Sequence, residues 1–159
     1  MAMSSKHIIR KADLATTDQA VSHPLDPAAR RRTRSLGDAT GLTLLGIHVN
    51  VIAPGDWSTV HHMHELVDEF MYFLSGTATV WIGDDEYEAG AGDFIGLPAR
   101  GPAHSMKNTG TVDLVYLVGG GRPQFDVCNY PKLGKRLFQV ERPDGRHREF
   151  VDLADIKRL

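Results

Sequence analysis

Short apolar segments separated by turn residues dominate the middle of this sequence and most constrain its fold. From Gly41 onward, "LTLLGIHVNVIAPG" is apolar and β-branched and ends at Pro54-Gly55, which predicts a strand over residues 42–52. "EFMYFLSG" and "TATVWIGDDEYEAG" follow, with turn residues after each apolar run, and predict consecutive hairpins. Further short segments continue to Gly121 with almost no helical periodicity. Such spacing predicts an antiparallel sandwich or barrel.

The segments on either side of this region are more polar. Residues 1–38 contain Pro24 and Pro27, show no sustained periodicity, and predict an irregular N-terminal arm. Residues 122–159 form a short C-terminal extension, in which "KRLFQV" and "HREFVDL" predict edge strands and "LADIKRL" a helical turn. A chain of 159 residues is most simply one domain, here with its barrel core over residues 39–121.

The composition is that of an ordinary globular protein, with 42% hydrophobic and 24% charged residues. Eighteen basic and twenty acidic residues give a net charge of −2, so no general attraction to nucleic acid or to an anionic membrane follows. No apolar run approaches the roughly 20 residues that cross a bilayer. The N-terminus has no hydrophobic segment typical of a secretory signal, which predicts a cytoplasmic location.

Two local features stand out against this composition. Cys128 is the only cysteine, which excludes an intramolecular disulfide and predicts a buried small hydrophobic side chain. Arg30, Arg31, Arg32 and Arg34 form a basic cluster. We interpret this cluster as a solvated surface segment, with a phosphate-binding or partner-binding arm as the alternative.

"HHMHELVDEFMYFLSG" places three histidines and several carboxylates beside a strand-like apolar run. Side chains alternate along a strand, so His62 and His64 share one face and His61 points outward. A hairpin can bring Glu69, which begins the next strand, opposite that pair. His104 follows a Gly-Pro turn and begins another strand, which a barrel could bring beside the first two histidines.

A set of three imidazoles and one carboxylate suits a divalent transition metal. Neutral imidazole binds Fe, Ni, Cu and Zn, while carboxylate also admits Mn and Fe. The residues alone do not require a metal, because hydrogen-bonded histidines and a solvated Glu69 would give the same pattern.

The order and spacing of these residues resemble the two signatures of the cupin superfamily. "GDWSTVHHMHELVDEFMYFLSG" is similar to the first signature, and "GDFIGLPARGPAHSMKN" to the second. The matching positions are His62, His64, Glu69 and Gly76, then Gly92, Pro98, Gly101, His104 and Asn108. Gly55 lies one residue too far from His62, and the second segment has one extra residue between Pro98 and Gly101. A register on His61 would put Met63 in a ligand position, so we reject it.

The resemblance implies a jelly-roll cupin barrel in which His62, His64, Glu69 and His104 bind one divalent ion, with Fe or Mn favoured and Zn or Ni as alternatives. Its leading functional implication is a metal-dependent enzyme, of dioxygenase type, that acts on an oxygen-rich small molecule. The alternatives are an isomerase or lyase, and a cupin that binds a metal or small ligand without turnover. Asn108 is expected to be structural, and Gly76 and Gly101 are expected to adopt positive φ in turns.

Other residues are candidates for the cavity wall. His48 and Asn50 share one face of their strand, where His48 is the candidate catalytic residue for proton transfer, with a structural role as the alternative. Met71, Phe73 and Met106 are interpreted as core residues, with a pocket wall as the alternative. We also expect a homodimer, because pairing covers exposed sheet edges. The N-terminal arm and "DVCNYPKLGKRLF" are the segments expected to contact the partner.

Overall fold

The computed structural model describes residues 5–17 and 19–157, which are almost entirely antiparallel β-structure. The strands are β1 (Gln19–His23), β2 (Asp26–Ser35), β3 (Leu45–Ile52), β4 (Met63–His64), β5 (Glu69–Ser75), β6 (Thr77–Ile82), β7 (Asp85–Gly90), β8 (Phe94–Leu97), β9 (His104–Lys107), β10 (Leu114–Gly121), β11 (Phe125–Tyr130), β12 (Lys135–Arg142) and β13 (Gly145–Asp152). One short helix, α1 (Leu36–Thr40), and 3-10 turns at Lys11–Thr17, Pro131–Leu133 and Leu153–Asp155 complete this part of the chain. The predicted all-β fold class is confirmed.

The strands form three antiparallel sheets. Their orders are β1-β2-β3-β10-β5-β8, β13-β12-β11-β4 and β7-β6-β9. Most sheet neighbours are far apart in sequence, as with β10, which pairs with both β3 and β5. This crossing of non-consecutive strands is typical of a jelly roll rather than of a simple meander.

The main core lies between the six-stranded and three-stranded sheets. Apolar side chains from both sheets meet there, led by Phe73, Ile52, Met106 and Leu114, which are almost fully buried. Phe73 and Met106 therefore belong to the core, as interpreted from the sequence. A smaller cluster, formed by Cys128, Tyr130 and Leu137, lies in the four-stranded sheet. Cys128 is 1% exposed, which confirms its prediction as a buried hydrophobic residue.

The predicted irregular arm over residues 1–38 is wrong over residues 19–35, whereas residues 5–17 contain no strand. β1 and β2 form an antiparallel hairpin, and β2 extends the large sheet by pairing with β3. These strands were not predicted because β2 is polar. One of its faces carries arginines that form ion pairs with other segments instead of packing in an apolar core. Arg30 pairs with Asp56 and Arg32 with Asp113, each at 2.8 Å.

The prediction of consecutive hairpins is wrong at residues 75–77. β5 and β6 follow each other directly but belong to different sheets, so the chain crosses from one sheet to the other at Gly76. Gly76 has a φ of 83°, as predicted. Gly101 does not adopt positive φ, and the residue that does so in that turn is Arg100, with a φ of 61°. Gly101 is required for space instead, because a Cβ there would lie 2.7 Å from the Pro98 carbonyl oxygen.

The segment predicted to contact a partner belongs to the sheet of its own chain. "DVCNYPKLGKRLF" forms most of β11 and the first half of β12, where Tyr130 and Leu137 are buried within the chain. The two strands predicted in the C-terminal segment are present as β12 and β13. They were predicted as edge strands, but of the two only β13 lies at an edge of its sheet, and β12 lies inside it. Among the described residues, no helix is long and apolar enough to cross a membrane.

Candidate metal centre

Three imidazoles surround the carboxylate of Glu69. The Oε2 atom of Glu69 lies 3.3 Å from His104 Nε2, 3.7 Å from His64 Nε2 and 4.0 Å from His62 Nε2. Two atoms that each lie about 2 Å from one ion are at most about 4 Å apart, and all three distances meet that limit. His62, Glu69 and His104 in particular offer ligand atoms within 4.8 Å of one another and could hold a metal ion.

The backbone brings these side chains together from separate segments. His62 and His104 form an antiparallel bridge in which His62 N–H donates to the His104 carbonyl at 3.0 Å and His104 N–H donates to the His62 carbonyl at 2.7 Å. Glu69 begins β5, which pairs with β8 and β10 rather than with β4. The hairpin expected to bring Glu69 opposite the histidines is therefore absent, and the packing of different sheets brings it there instead.

The chemistry of the donor set fits a divalent transition metal. His104 is 3% exposed, and within residues 5–17 and 19–157 neither of its ring nitrogens has a hydrogen-bond partner of suitable geometry. A buried polar atom without a partner is costly, which a metal bound at Nε2 would relieve. All three imidazoles predicted from the sequence lie within 4.0 Å of Glu69 Oε2. The group whose ligand atoms all lie within 4.8 Å of one another contains His62, Glu69 and His104 but not His64, so the four-residue set remains a prediction.

Asp126, which sequence reasoning missed, holds one of these imidazoles. His64 Nδ1 donates to Asp126 Oδ2 at 2.5 Å, and the other oxygen of this carboxylate accepts the Leu66 N–H. His62 Nδ1 likewise donates to the Val60 carbonyl at 2.8 Å. In the neutral form of each ring, this contact leaves Nε2 as the unprotonated nitrogen on the side of Glu69. Carboxylate or carbonyl partners of this kind are typical of metal-binding histidines.

The electrostatics of the cluster favour an ionised carboxylate beside neutral His62. Burial opposes ionisation of Glu69, but the contact with His104 and the charges of His64 and His62 lower the pKa of Glu69 to about 2. Burial lowers the pKa of His62 to about 3, with a further contribution from His104. Burial opposes protonation of His64, yet the hydrogen bond to Asp126 and the charge of Glu69 prevail and raise its pKa.

A cavity of about 790 Å³ lies against this cluster. His62, His64 and Glu69 line it on one side, and most of its other lining residues are polar. Its volume falls within the usual range for small-molecule sites, which is roughly 300–1,000 Å³. Met71 also lines this cavity, so it serves both as a core residue and as part of the pocket wall.

His48 and Asn50 line the same cavity, as their alternation on β3 predicted. Burial lowers the pKa of His48, and the charge of Arg122 lowers it further. His48 is therefore neutral near pH 7, and its buried Nδ1 has no hydrogen-bond partner among the described residues. Asn50 is buried and donates from Nδ2 to the Tyr116 hydroxyl at 3.1 Å. Both residues are available to a molecule in the cavity.

Two nearby residues are excluded from the ligand set. His61, predicted to point outward, is 8% exposed, and a hydrogen bond of 3.0 Å joins its Nδ1 to Ser105 Oγ. This contact with Ser105 on β9 joins residues that are 44 positions apart, which the alternation rule could not foresee. Cys128 offers Sγ within 4.8 Å of ligand atoms of His62 and His64, but burial raises the pKa of its thiol to about 12, so a metal would have to displace its proton.

The contacts of Asn108 are those of a structural residue, as predicted. It is fully buried, and Nδ2 donates to the carbonyls of Ile52 at 2.7 Å and Val112 at 2.9 Å. Its Oδ1 accepts the N–H of Gly110. These bonds connect the ends of β3, β9 and β10, so Asn108 supports the sheets rather than the cavity.

The sequence of this chain matches one family model and one curated protein. The model of the cupin domain family matches residues 48–120. An uncharacterized protein of Methanocaldococcus jannaschii is 30% identical over 80 residues, which is 50% of this chain. The match spans 56% of that protein, little more than half of its length.

Two solved structures resemble nearly the whole chain. One is the putative sugar phosphate isomerase of Acidithiobacillus ferrooxidans, with 41% identity, a TM-score of 0.88 and 97% of each chain covered. The other is a cupin-superfamily sugar phosphate isomerase of Silicibacter pomeroyi, with 25% identity, a TM-score of 0.76 and 87% of each chain covered. A predicted oxalate decarboxylase of Thermotoga maritima shares the fold alone, with 22% identity and a TM-score of 0.60, over 73% of this chain and 99% of that one.

Proposed function

Because this chain belongs to the cupin superfamily, we propose that it is a metal-dependent enzyme that isomerises a small, sugar-like hydroxycarbonyl compound. The observation that carries the proposal is the convergence of three imidazoles on Glu69 at the wall of a cavity. The identity of 41% to a protein described as a putative sugar phosphate isomerase supports isomerisation over the other cupin reactions.

We assign His62, His64, Glu69 and His104 as the residues that hold the ion. A divalent metal in this position would polarise the carbonyl of a bound substrate, which makes the proton on the neighbouring carbon more acidic. Asp126 orients His64 through its short hydrogen bond. Burial of the cluster restricts water, which strengthens every electrostatic interaction within it.

His48 is the proposed proton carrier. It lines the cavity with an unpaired buried Nδ1, and its lowered pKa leaves it neutral and able to accept a proton near neutral pH. Isomerisation of a hydroxycarbonyl compound moves the hydroxyl proton to the carbonyl oxygen and moves another proton from one carbon to its neighbour. His48 would take that proton from the first carbon and return it to the second, so the reaction needs no external oxidant.

Two other functions compete for the same site. The dioxygenase predicted from the sequence would use the same ligands but would consume O2, and no contact among the described residues of the cavity favours it over isomerisation. A cupin that binds without turnover would need no positioned base. The polar lining, with His48 and Asn50, supports an enzyme over such a binder.

The test uses a panel of aldoses, ketoses and their phosphates in D2O. The protein, purified with its bound metal, is expected to introduce deuterium at the carbon next to the carbonyl without consuming O2. Oxygen consumption with cleavage of the substrate would overturn the proposal in favour of the dioxygenase.

The His48→Gln variant tests the base separately. Loss of a general base is expected to lower kcat by about 10²–10⁴-fold while metal content stays the same. His147→Gln is the matched control, because the exposed ring of His147 bonds Asp144 and His147 does not line the cavity. Equal activity of His48→Gln and His147→Gln would remove His48 from the mechanism.

A further inference from the structure

One arginine of the basic cluster points into the cavity, while its neighbours do not. Arg31 lines the cavity, whereas Arg30 and Arg32 form ion pairs elsewhere with Asp56 and Asp113. The register explains this division, because Thr33 lies opposite Asn50 and side chains alternate along β2. Arg31 therefore shares the face of Thr33 and Asn50.

Arg31 is fixed in place but not neutralised. Its Nη1 donates to the Ser58 carbonyl at 2.8 Å, and no carboxylate in the described part of the chain pairs with it. A guanidinium has five N–H donors, so most of those on Arg31 remain available to a molecule in the cavity. Arg122, in contrast, is paired with Asp38 at 2.5 Å.

Unpaired polar atoms lie beside Arg31. Ser58 is 2% exposed and its Oγ has no hydrogen-bond partner among the described residues, and the same holds for Oδ1 of Asn50, which is 5% exposed. Tyr116 also feels the charge of Arg31. Burial raises the pKa of the Tyr116 phenol, and the positive charge of Arg31 partly opposes this rise. A buried polar atom without a partner indicates a place where a ligand or water bonds.

The cavity as a whole is suited to an anion. Four arginines and three carboxylates line it within the described chain, and a divalent metal at the candidate centre would increase the positive excess. Arg31 lies outside residues 48–120, the part that matches the cupin domain model. The β1–β2 hairpin therefore supplies the cavity with the positive charge of Arg31, which is separate from the metal centre.

We propose that Arg31 binds the phosphate group of a phosphorylated substrate, while Asn50 Oδ1 accepts a hydrogen bond from a substrate hydroxyl and Ser58 Oγ donates or accepts one. This assignment rests on the proposed function, since it places the phosphate in the same cavity as the metal. Arg31 determines specificity for phosphorylated over unphosphorylated compounds and takes no part in proton transfer.

The test measures binding of inorganic phosphate by calorimetry to the purified protein and to single variants. Arg31→Gln is expected to weaken phosphate binding at least about tenfold, the effect of losing one charge-assisted hydrogen bond. Arg31→Lys, which keeps the charge, is expected to fall between Arg31→Gln and the wild type. Arg32→Gln is the matched control, because Arg32 lies on the same strand but faces Asp113, and it should bind as the wild type does.

The ligand variant His62→Ala/His104→Ala separates this site from the metal. Phosphate that still binds to this double variant supports the Arg31 site, even if no isomerase activity is ever found. Phosphate binding that is lost in the double variant but unchanged in Arg31→Gln would overturn the proposal, because the anion would then be bound by the metal. Acetate that binds as tightly as phosphate would overturn the assignment of phosphate.

Discussion

At the scale of single residues, each imidazole of the candidate centre is held differently. His64 is held by the carboxylate of Asp126 and His62 by the Val60 carbonyl, while His104 is held through its backbone bridge to His62. The contact with Asp126 is the only one of these that involves a charged side chain. It should therefore contribute most to the orientation and basicity of its histidine.

Asp126→Asn is expected to lower metal affinity about 10–100-fold, because the amide cannot supply the charge that strengthens His64 as a ligand. Competition with a chromogenic chelator measures this change. Asp93→Asn is the matched control, since Asp93 is exposed and accepts a single backbone N–H from Gly90 at 2.8 Å. Equal affinities of the two variants would show that Asp126 does not act on the metal.

The pH dependence of stability tests the environment of His62. Between its ordinary pKa of 6.5 and its folded value of about 3, the unfolded chain binds a proton that the folded chain does not. The free energy of unfolding of the metal-free protein should therefore fall as the pH falls below 6.5, by about 1 kcal/mol per pH unit from this residue.

Urea unfolding in the presence of a chelator, at pH 7 and at pH 5, measures this dependence. The His62→Gln variant should lose less stability on acidification than the wild type does. The surface variant His147→Gln should follow the wild type. The environment described for His62 would be refuted by parallel losses in all three proteins.

The candidate ligands could be predicted because two short segments contain all four residues in a recognisable spacing. The contact of Asp126 could not be predicted, and the phosphate-binding alternative for the basic cluster could not single out Arg31, because both assignments depend on contacts between distant parts of the chain. The hydrogen bond between His64 and Asp126 spans 62 positions, and the inward direction of Arg31 depends on the pairing of β2 with β3. No local pattern distinguishes Asp126 from a surface charge, or Arg31 from the other arginines of its cluster.

At the scale of elements, the chain passes at Gly76 from β5 of the six-stranded sheet to β6 of the three-stranded sheet. The apolar alternation of β5 and β6 was sufficient to predict the strands, and the turn residue between them was also correct. Their pairing could not be predicted, because a tight turn with positive φ suits both a hairpin and a change of sheet. Only the partners β10, β8, β7 and β9 determine which of these occurs.

Gly76→Ala is expected to destabilise the protein by about 2 kcal/mol or more, since φ is positive and the new Cβ would meet backbone. It would lie 2.8 Å from the Asp113 carbonyl oxygen and from Leu114 Cα. Gly55→Ala is the matched control, because Gly55 has a φ of 85° with no atom within 4 Å of an added Cβ. Urea unfolding should show a clearly larger loss at Gly76, and equal losses would contradict the steric argument.

At the scale of the whole molecule, several sheet edges and apolar side chains are uncovered in the single chain. β1 and β8 end the large sheet, and Tyr72, Leu74 and Phe94 are exposed near β8. Uncovered edges of this kind favour association. The homodimer predicted from the sequence remains a prediction on this basis.

Light scattering with multi-angle detection measures the mass in solution. The prediction is the mass of two chains, each of 17.5 kDa. A variant with Phe94→Glu and Leu74→Glu places charge on the exposed apolar face near β8 and should shift the mass toward one chain. A monomeric wild type would contradict the prediction.

The central claim is that His62, His64, Glu69 and His104 bind a divalent metal ion. Elemental analysis of protein purified without added metal tests it most directly, with His61→Gln as a control that changes a neighbouring buried histidine outside the ligand set. The account predicts stoichiometric transition metal in the wild type and in His61→Gln, and none in His62→Ala/His104→Ala. Stoichiometric metal that remains in the double variant would contradict the account.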